Sequence, residues 1–358
     1  MTVAIALADG APQLTLTRRA SAPVSTGEPR VDWVFPLRHS DDMAIAQFAH
    51  ETPSGAFVRQ ANRFTNRITR DSESAPGDGP DALGRWPVEP GRYRLVWSRA
   101  CPWAHRARIV WGLLGLTEVI SLATVDPIRD EDGWRFTLDP DGRDPVLGIK
   151  YLAEAYRATA PSFAGRVTVP AIVDTISGRV VTNDYPQITL DLSTEWVAHH
   201  SSGAPELYPV SQRPEIDALM LEIYTDLNNG VYRAGFASSQ EAYETGYDAV
   251  FRRLDALEDR LCDGRRFLFG DPLTEADVRL FTTLVRFDAV YHNHFRCNRN
   301  KITEMPAVWA YARRVFQTPG FGDTVDFDQI KRHYYGTHAA INPTGIVPKG
   351  PDTSNWLI

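Results

Sequence analysis

The sequence predicts an α/β domain followed by an all-helical domain. Residues 93–125 alternate strand, helix and strand, and residues 167–197 read as a β-hairpin followed by a helix. From Pro214 to about Phe316 the apolar residues recur with helical spacing, interrupted only by short breaks.

Residues 1–90 read as an irregular arm. Pro, Gly, Ser and Asp recur there, as in SAPGDGPDALG at 74–84, and a short helix is expected around Met43–His50. Long segments without regular structure are uncommon inside a domain, so this arm is expected to be functional or draped over a surface. The character changes at Tyr93. Tyr93–Trp97 reads as a strand and Ser98-Arg99-Ala100 as a turn. From Pro102 onward, Trp103, Ala107, Val110 and Leu114 fall on one helical face. Pro102 suits a first helical turn, where its missing N–H costs nothing, and Gly115 is expected to stop the helix. Ile120–Val125 is a second strand.

Residues 126–165 are polar and punctuated, as expected of an insertion, with a short helix near Gly148–Thr159. Order returns at Val167–Asp174. A turn at Ser177-Gly178, a strand at Arg179–Thr182 and a helix from about Pro186 to Val197 follow. Strand–helix–strand followed by strand–strand–helix is the order of a thioredoxin-like domain. The expected organisation is an arm over 1–90, a thioredoxin-like domain over 91–200 with the insertion 126–165, a helical domain over 205–335 and a tail over 336–358. Within the helical part, Thr274 to Asp277 forms a capping box ahead of the apolar run Val278–Phe287.

Composition excludes several classes. Of the 358 residues 43% are hydrophobic and 23% charged, close to an average soluble protein. The net charge of −7 offers no nucleic-acid-binding surface. No stretch approaches the ~18 apolar residues of a membrane span, and the N-terminal residues do not read as a secretory signal. Cys101, Cys262 and Cys297 are too sparse for a disulfide framework and suit a reducing compartment. A cytoplasmic protein is therefore expected. Cys262, ending an apolar helix, reads as structural. His292, His294 and Cys297 resemble a metal cluster, but their spacing does not put all three on one helical face, so no metal is expected.

Cys101 carries the chemistry. It stands at a strand-to-helix turn, where the helix dipole favours a thiolate, the reactive form. Arg99, His105 and Arg106 are close in sequence and are expected to add positive potential. The competing reading is a buried structural cysteine. Position 104 is Ala, so Cys101 has no second thiol three residues on. A mixed disulfide with a small thiol, released by a second small thiol, is the chemistry this permits. Val169-Pro170 is placed where such domains keep a cis proline, baring a backbone N–H and C=O for a peptide-like ligand; an ordinary trans proline is the alternative.

Cys101-Pro102-Trp103-Ala104-His105-Arg106 resembles the signature of the glutathionyl-hydroquinone reductases, the xi class of glutathione transferases. Asp132-Gly133-Trp134, the run Asn228–Ala237, Leu273–Phe281, His333-Tyr334-Tyr335 and Ile341–Gly345 match as well, so the resemblance spans about residues 30–351. It implies a glutathione transferase fold and an oxidoreductase that needs no tightly bound cofactor. Cys101 would attack the sulfur of a thiol–hydroquinone conjugate, the ring would leave, and a second thiol would release the mixed disulfide. The co-substrate would be a low-molecular-weight thiol, glutathione or mycothiol, and the other partner a quinone or hydroquinone conjugate. The resemblance further implies that Trp134, Val169 and Pro170 hold the thiol, together with the acidic-plus-serine pair that here reads Asp184-Tyr185. It places the quinol among Trp103, Tyr232, Tyr334 and Tyr291, and it implies a homodimer. Bland readings remain beside these: Trp134 as core, and Tyr334 and Tyr335 as staples for the tail. Tyr232, after Asn-Asn-Gly-Val, is expected on a loop.

The family pattern has Asn-Glu-Ser where this chain has Asn183-Asp184-Tyr185. The acid is one methylene shorter, the Ser has become a bulky Tyr, and Pro186 removes a backbone donor. These changes point to weakened recognition of a γ-glutamyl group, unless the Tyr185 ring swings out, and hence to a substitute such as mycothiol. Two other functions share these residues. One is an omega-like thiol transferase or dehydroascorbate reductase; the other is a non-catalytic transferase-like binding module.

Overall fold

Strand β3 (Tyr93–Trp97) is buried at all five positions and forms an inner strand of a four-stranded sheet in the order β4-β3-β5-β6. This is a computed structural model, and it describes residues 51, 52 and 54–357. β4 (Ile120–Thr124) runs parallel to β3, with Tyr93 opposite Ile120. β5 (Ala171–Asp174) runs antiparallel, with Val96 opposite Ala171, and β6 (Val180–Thr182) closes the sheet. The ladder on β5 begins after Pro170, which has no N–H to contribute. Because β3 is covered on both faces, its Arg94 needs an internal partner. Asp144, from the 126–165 segment, accepts from its Nε at 2.7 Å.

Helix α1 (Pro102–Leu113) crosses between β3 and β4. Its end is set by Gly115 at φ 71°, a conformation only glycine adopts cheaply; a Cβ there would collide with the Ser201 side chain. Helix α2 (Leu152–Thr159) lies in the polar segment, and α3 (Tyr185–Thr194) follows the hairpin. α3 starts one residue earlier and ends three residues sooner than its periodicity predicts.

The second half is helical: α4 (Arg213–Ile223), α5 (Gly230–Gly235), α6 (Gln240–Leu261), α7 (Glu275–Arg286), α8 (Pro306–Gln317) and α9 (Phe327–Thr337). α7 is buried at every position. The Asp277 carboxylate accepts from the Thr274 N–H and hydroxyl, each at 2.9 Å, so the capping box is present. Two π-helical turns, Tyr224–Asn228 and Phe287–Tyr291, extend α4 and α7. The first leads directly into α5, so Tyr232 is a helical residue and not on a loop. One apolar core joins α1 and α3 to the helical half; a second lies on the other sheet face, under α2 and Trp134.

The described part of the arm is not wholly irregular. β1 (Arg67–Thr69) and β2 (Arg85–Pro87) pair in parallel as a separate two-stranded sheet. Three-residue strands are too short to show a period. Arg67 pairs with Asp191 on α3 and so anchors the arm to the thioredoxin-like part. The helix expected around Met43–His50 lies outside the described residues. Beyond α9 the tail returns along the helical half, and Trp356 is buried against Trp309, Phe316 and Phe327. Cys262 is exposed at the end of α6, which corrects its reading as structural. Among the described residues, no helix is long and apolar enough to cross a membrane.

Candidate active site

Cys101 is the residue immediately before α1. Its extended backbone (φ −80°, ψ 118°) ends the strand-to-helix turn, and Pro102 occupies the first helical position. The side chain is partly buried, and its Sγ lies 3.5 Å from the Val169 carbonyl oxygen. The Val169–Pro170 peptide is cis. A carbonyl accepts and does not donate, so this contact favours the protonated thiol. Burial pushes the Cys101 thiol up. The backbone N–H groups of Ala104 and Trp103 and the charges of Arg286 and Arg59 pull the other way without prevailing.

The charges near Cys101 are not those its sequence neighbourhood suggests. His105 is fully buried; Arg286 donates to its Nδ1 at 3.1 Å, so its Nε2 carries the proton and donates to Thr324 Oγ1 at 2.6 Å. Burial and Arg286 hold its pKa well below the ordinary imidazole range, so it is neutral. Arg106 points away, donating to Asn228 at 2.8 Å, and Arg99 lies against the Trp97 ring. Arg286, from the end of α7, instead braces the turn itself. It donates to the carbonyls of Arg99 and Ala100 at 2.9 and 3.0 Å.

A cavity of about 800 Å³, part of it open to solvent, surrounds the thiol. Cys101, Trp103, Trp134, Val169, Tyr185, Tyr232 and Tyr334 all face it; Pro170, Asp184 and Tyr291 do not. Trp134 is buried and stacks on His333, with ring centroids 5.3 Å apart and planes 17° apart. The Pro127 carbonyl can only accept from His333 Nδ1, at 2.6 Å, which leaves Nε2 without the proton. Burial pushes the His333 pKa down to about 3.

The hydroxyls of Tyr232 and Tyr334 meet at 2.5 Å, and Tyr291 bonds Tyr334 from behind at 3.1 Å. Two guanidinium groups pack on Trp103, Arg59 at 4.5 Å and Arg106 at 4.6 Å, and its indole N–H has no partner among the described residues. The Tyr185 ring packs on Trp103 at 4.7 Å, and its hydroxyl donates to the Tyr224 hydroxyl at 3.2 Å. Asp184 accepts from Asn62 of the arm at 2.9 Å. Phe57, Arg59, Gln60 and Asn62 all line the cavity, so the arm forms one of its walls.

Sequence reasoning missed Arg59, Arg129, Arg286 and His333. Arg129 follows β4 and lies over the Trp134 ring at 5.1 Å. It makes no hydrogen bond or ion pair with a described residue, and its buried Nε is unpartnered. Burial, with repulsion from Arg166, lowers its pKa to about 10. A cation kept dry and unpaired beside a cavity suits an anionic group. The signal for Arg129 was present, because it lies three residues before the Asp132-Gly133-Trp134 match. No local pattern marks Arg59 or Arg286. Neither is near Cys101 in sequence.

The glutathione S-transferase C-terminal domain family matches residues 240–314. The glutathionyl-hydroquinone reductase PcpF of Sphingobium chlorophenolicum is 45% identical over 309 residues, 86% of this chain and 93% of PcpF. A glutathione transferase from Gordonia bronchialis superposes with a TM-score of 0.77 at 58% identity, covering 82% of this chain and 88% of that one. The glutathione-bound structure of YqjG from Escherichia coli K-12 gives 0.74 at 40% identity, covering 81% and 93%. With a thioredoxin-like sheet, a cysteine opening α1 and a helical half behind it, the chain belongs to the glutathionyl-hydroquinone reductase family, the xi class of glutathione transferases.

Proposed function

We propose that this enzyme removes a low-molecular-weight thiol from hydroquinone conjugates through a mixed disulfide on Cys101. The observation that carries the reading is the shared cavity in which the Cys101 thiol, the Val169 carbonyl and the paired hydroxyls of Tyr232 and Tyr334 meet. The Cys101 thiolate attacks the conjugate's sulfur; an S–S bond forms as the C–S bond breaks, and the ring carbon gains a proton where it loses sulfur. A second thiol then attacks the mixed disulfide, freeing Cys101 and a small disulfide. In sum, one conjugate and one thiol give one hydroquinone and one disulfide. Trp103, Tyr232 and Tyr334 flank the ring, with Tyr291 orienting Tyr334. Trp134 and Val169 beside Pro170 hold the thiol. Three free cysteines suit a reducing compartment and support a cytoplasmic enzyme, and a homodimer is proposed from the family resemblance alone.

The thiol's two ends meet different surroundings. Arg129, unpaired over Trp134, suits a carboxylate and so supports glutathione, the ligand in the YqjG structure. The other end supports a second reading. Tyr185 is packed against Trp103 and bonded to Tyr224, while Asp184 is engaged by Asn62, so a γ-glutamyl group finds fewer free partners. That favours a thiol lacking this end, such as mycothiol, which also lacks a carboxylate. Intact-mass measurement after incubation with glutathione disulfide or mycothiol disulfide, with Cys101→Ala as control, separates the two. A glutathione adduct absent from the control supports the first reading; a mycothiol adduct alone supports the second. Equal labelling of the wild type and the control would sink both.

A further inference from the structure

Arg59 belongs to the arm, outside the sheet and the helices that build the rest of the cavity. Its Nε is fixed by the Asn229 side-chain oxygen at 2.9 Å. Its guanidinium lies over two rings, 4.5 Å from the centre of Trp103 and 4.6 Å from that of Tyr232. It faces the same cavity as Cys101, and its Nη2 is buried without a hydrogen-bond partner among the described residues. A guanidinium is always charged and carries five donors. Here Asn229 uses one and the two rings hold the guanidinium, so a terminal N–H group is held ready for an oxygen that no described residue supplies. A buried donor left unpaired is costly, and its persistence points to a ligand.

The chemistry proposed above needs such a donor. When the thiolate takes sulfur, the electron pair of the C–S bond passes to the ring. With the ring in its keto form, the proton already on the sulfur-bearing carbon, that pair flows on to the carbonyl oxygen. Aromaticity returns and the ring leaves as a phenolate, which takes up one proton to become the hydroquinone. With the ring placed beside Trp103 and Tyr232 as proposed above, the charge develops on an oxygen in the part of the cavity that Arg59 lines. We propose that Arg59 is a catalytic residue that clamps the departing quinol oxygen, its Nη2 donating to the oxyanion as the C–S bond breaks. The proposal rests on the quinol-conjugate reading and adds a group to it. It also gives the arm a part in the chemistry, because the residue that stabilises the leaving ring is carried by the segment that walls the cavity.

The test compares wild type, Arg59→Gln and Arg59→Lys on glutathione conjugates of hydroquinones ranging from methyl-substituted to chlorinated. Chlorine stabilises the phenolate by itself and needs the clamp less. Arg59→Gln is expected to lower kcat by about 10²–10³ on the methyl-substituted ring, the usual cost of losing an oxyanion donor. The loss should be at least tenfold smaller on the chlorinated ring, with Lys restoring part of the rate. Adduct formation at Cys101 with glutathione disulfide involves no ring and should fall far less. A loss equal across all rings, or matched by the disulfide reaction, would overturn the clamp while leaving the quinol reading intact. Failure of the wild type to turn over any conjugate, with Cys101 still forming its adduct, would overturn the quinol reading and the clamp together.

Discussion

At the scale of single residues, the surroundings of Cys101, the proposed nucleophile, favour its thiol form. Burial and the Val169 carbonyl oppose the thiolate, and the opposing groups do not outweigh them. The sign follows: a raised pKa means less thiolate at neutral pH, so alkylation of Cys101 should rise with pH through a midpoint above the ordinary ~8.5. Arg59→Gln, which removes a nearby positive charge, should move that midpoint further up. Iodoacetamide labelling followed by peptide mass analysis reads both; a midpoint below about 8.5 would contradict the account. Tyr185 gives a second prediction. Tyr185→Ser removes the ring from Trp103 and supplies the short hydroxyl that the family pattern carries. Glutathione KM should fall about tenfold, roughly one hydrogen bond to a charged group, with kcat little changed. Steady-state kinetics in varied glutathione checks this.

At the scale of elements, α7 is the brace of the site. It is buried along its whole length and ends in Arg286, which holds the turn carrying Cys101. Its start is fixed by Asp277. One carboxylate oxygen accepts from Thr274, and the other accepts from the Leu268 N–H and the Tyr311 hydroxyl, both at 2.8 Å. Asp277→Ala leaves several buried donors unpaired and should cost at least about 3 kcal/mol in urea unfolding. An exposed carboxylate removed elsewhere, such as Glu131→Ala, should change stability by less than about 0.5 kcal/mol and serves as the comparison.

At the scale of the whole molecule, the site is closed by both ends of the described chain. The arm contributes Phe57 and Arg59 to the cavity, and α9 contributes His333 and Tyr334. The tail secures α9 in turn. Trp356 packs on Phe327 at its start, and Lys331 donates to the carbonyls of Pro348 and Lys349. Trp356→Ala should therefore lower stability by about 3–5 kcal/mol. It should also raise KM for the quinol conjugate more than for the thiol, because Tyr334 rides on α9 and the proposed thiol-side groups Val169 and Trp134 are carried by other segments. Thermal unfolding and two-substrate kinetics would show this; equal change in both KM values would argue for a purely global effect.

The sequence by itself determined the order of strands and helices from Tyr93 onward, the cysteine opening α1 and the family. Period-2 and period-3.6 patterns, the Gly115 stop and the Thr274 capping box are local signals, written within a few residues. It also placed Cys101, Trp103, Trp134 and Tyr232 among the candidates through contiguous motifs. Only the tertiary structure decided which charges face the thiol. His105 and Arg106 lie one turn along the same helix yet point into the helical half, whereas Arg59 and Arg286 arrive from distant segments. Likewise, the direction of the Cys101 shift depends on burial and on the Val169 carbonyl, neither of which a helix N-terminus reveals. Three-residue strands in the arm and the π-helical turn before Tyr232 were illegible for a related reason. They are too short to repeat, so packing against distant residues, and not local periodicity, selects them.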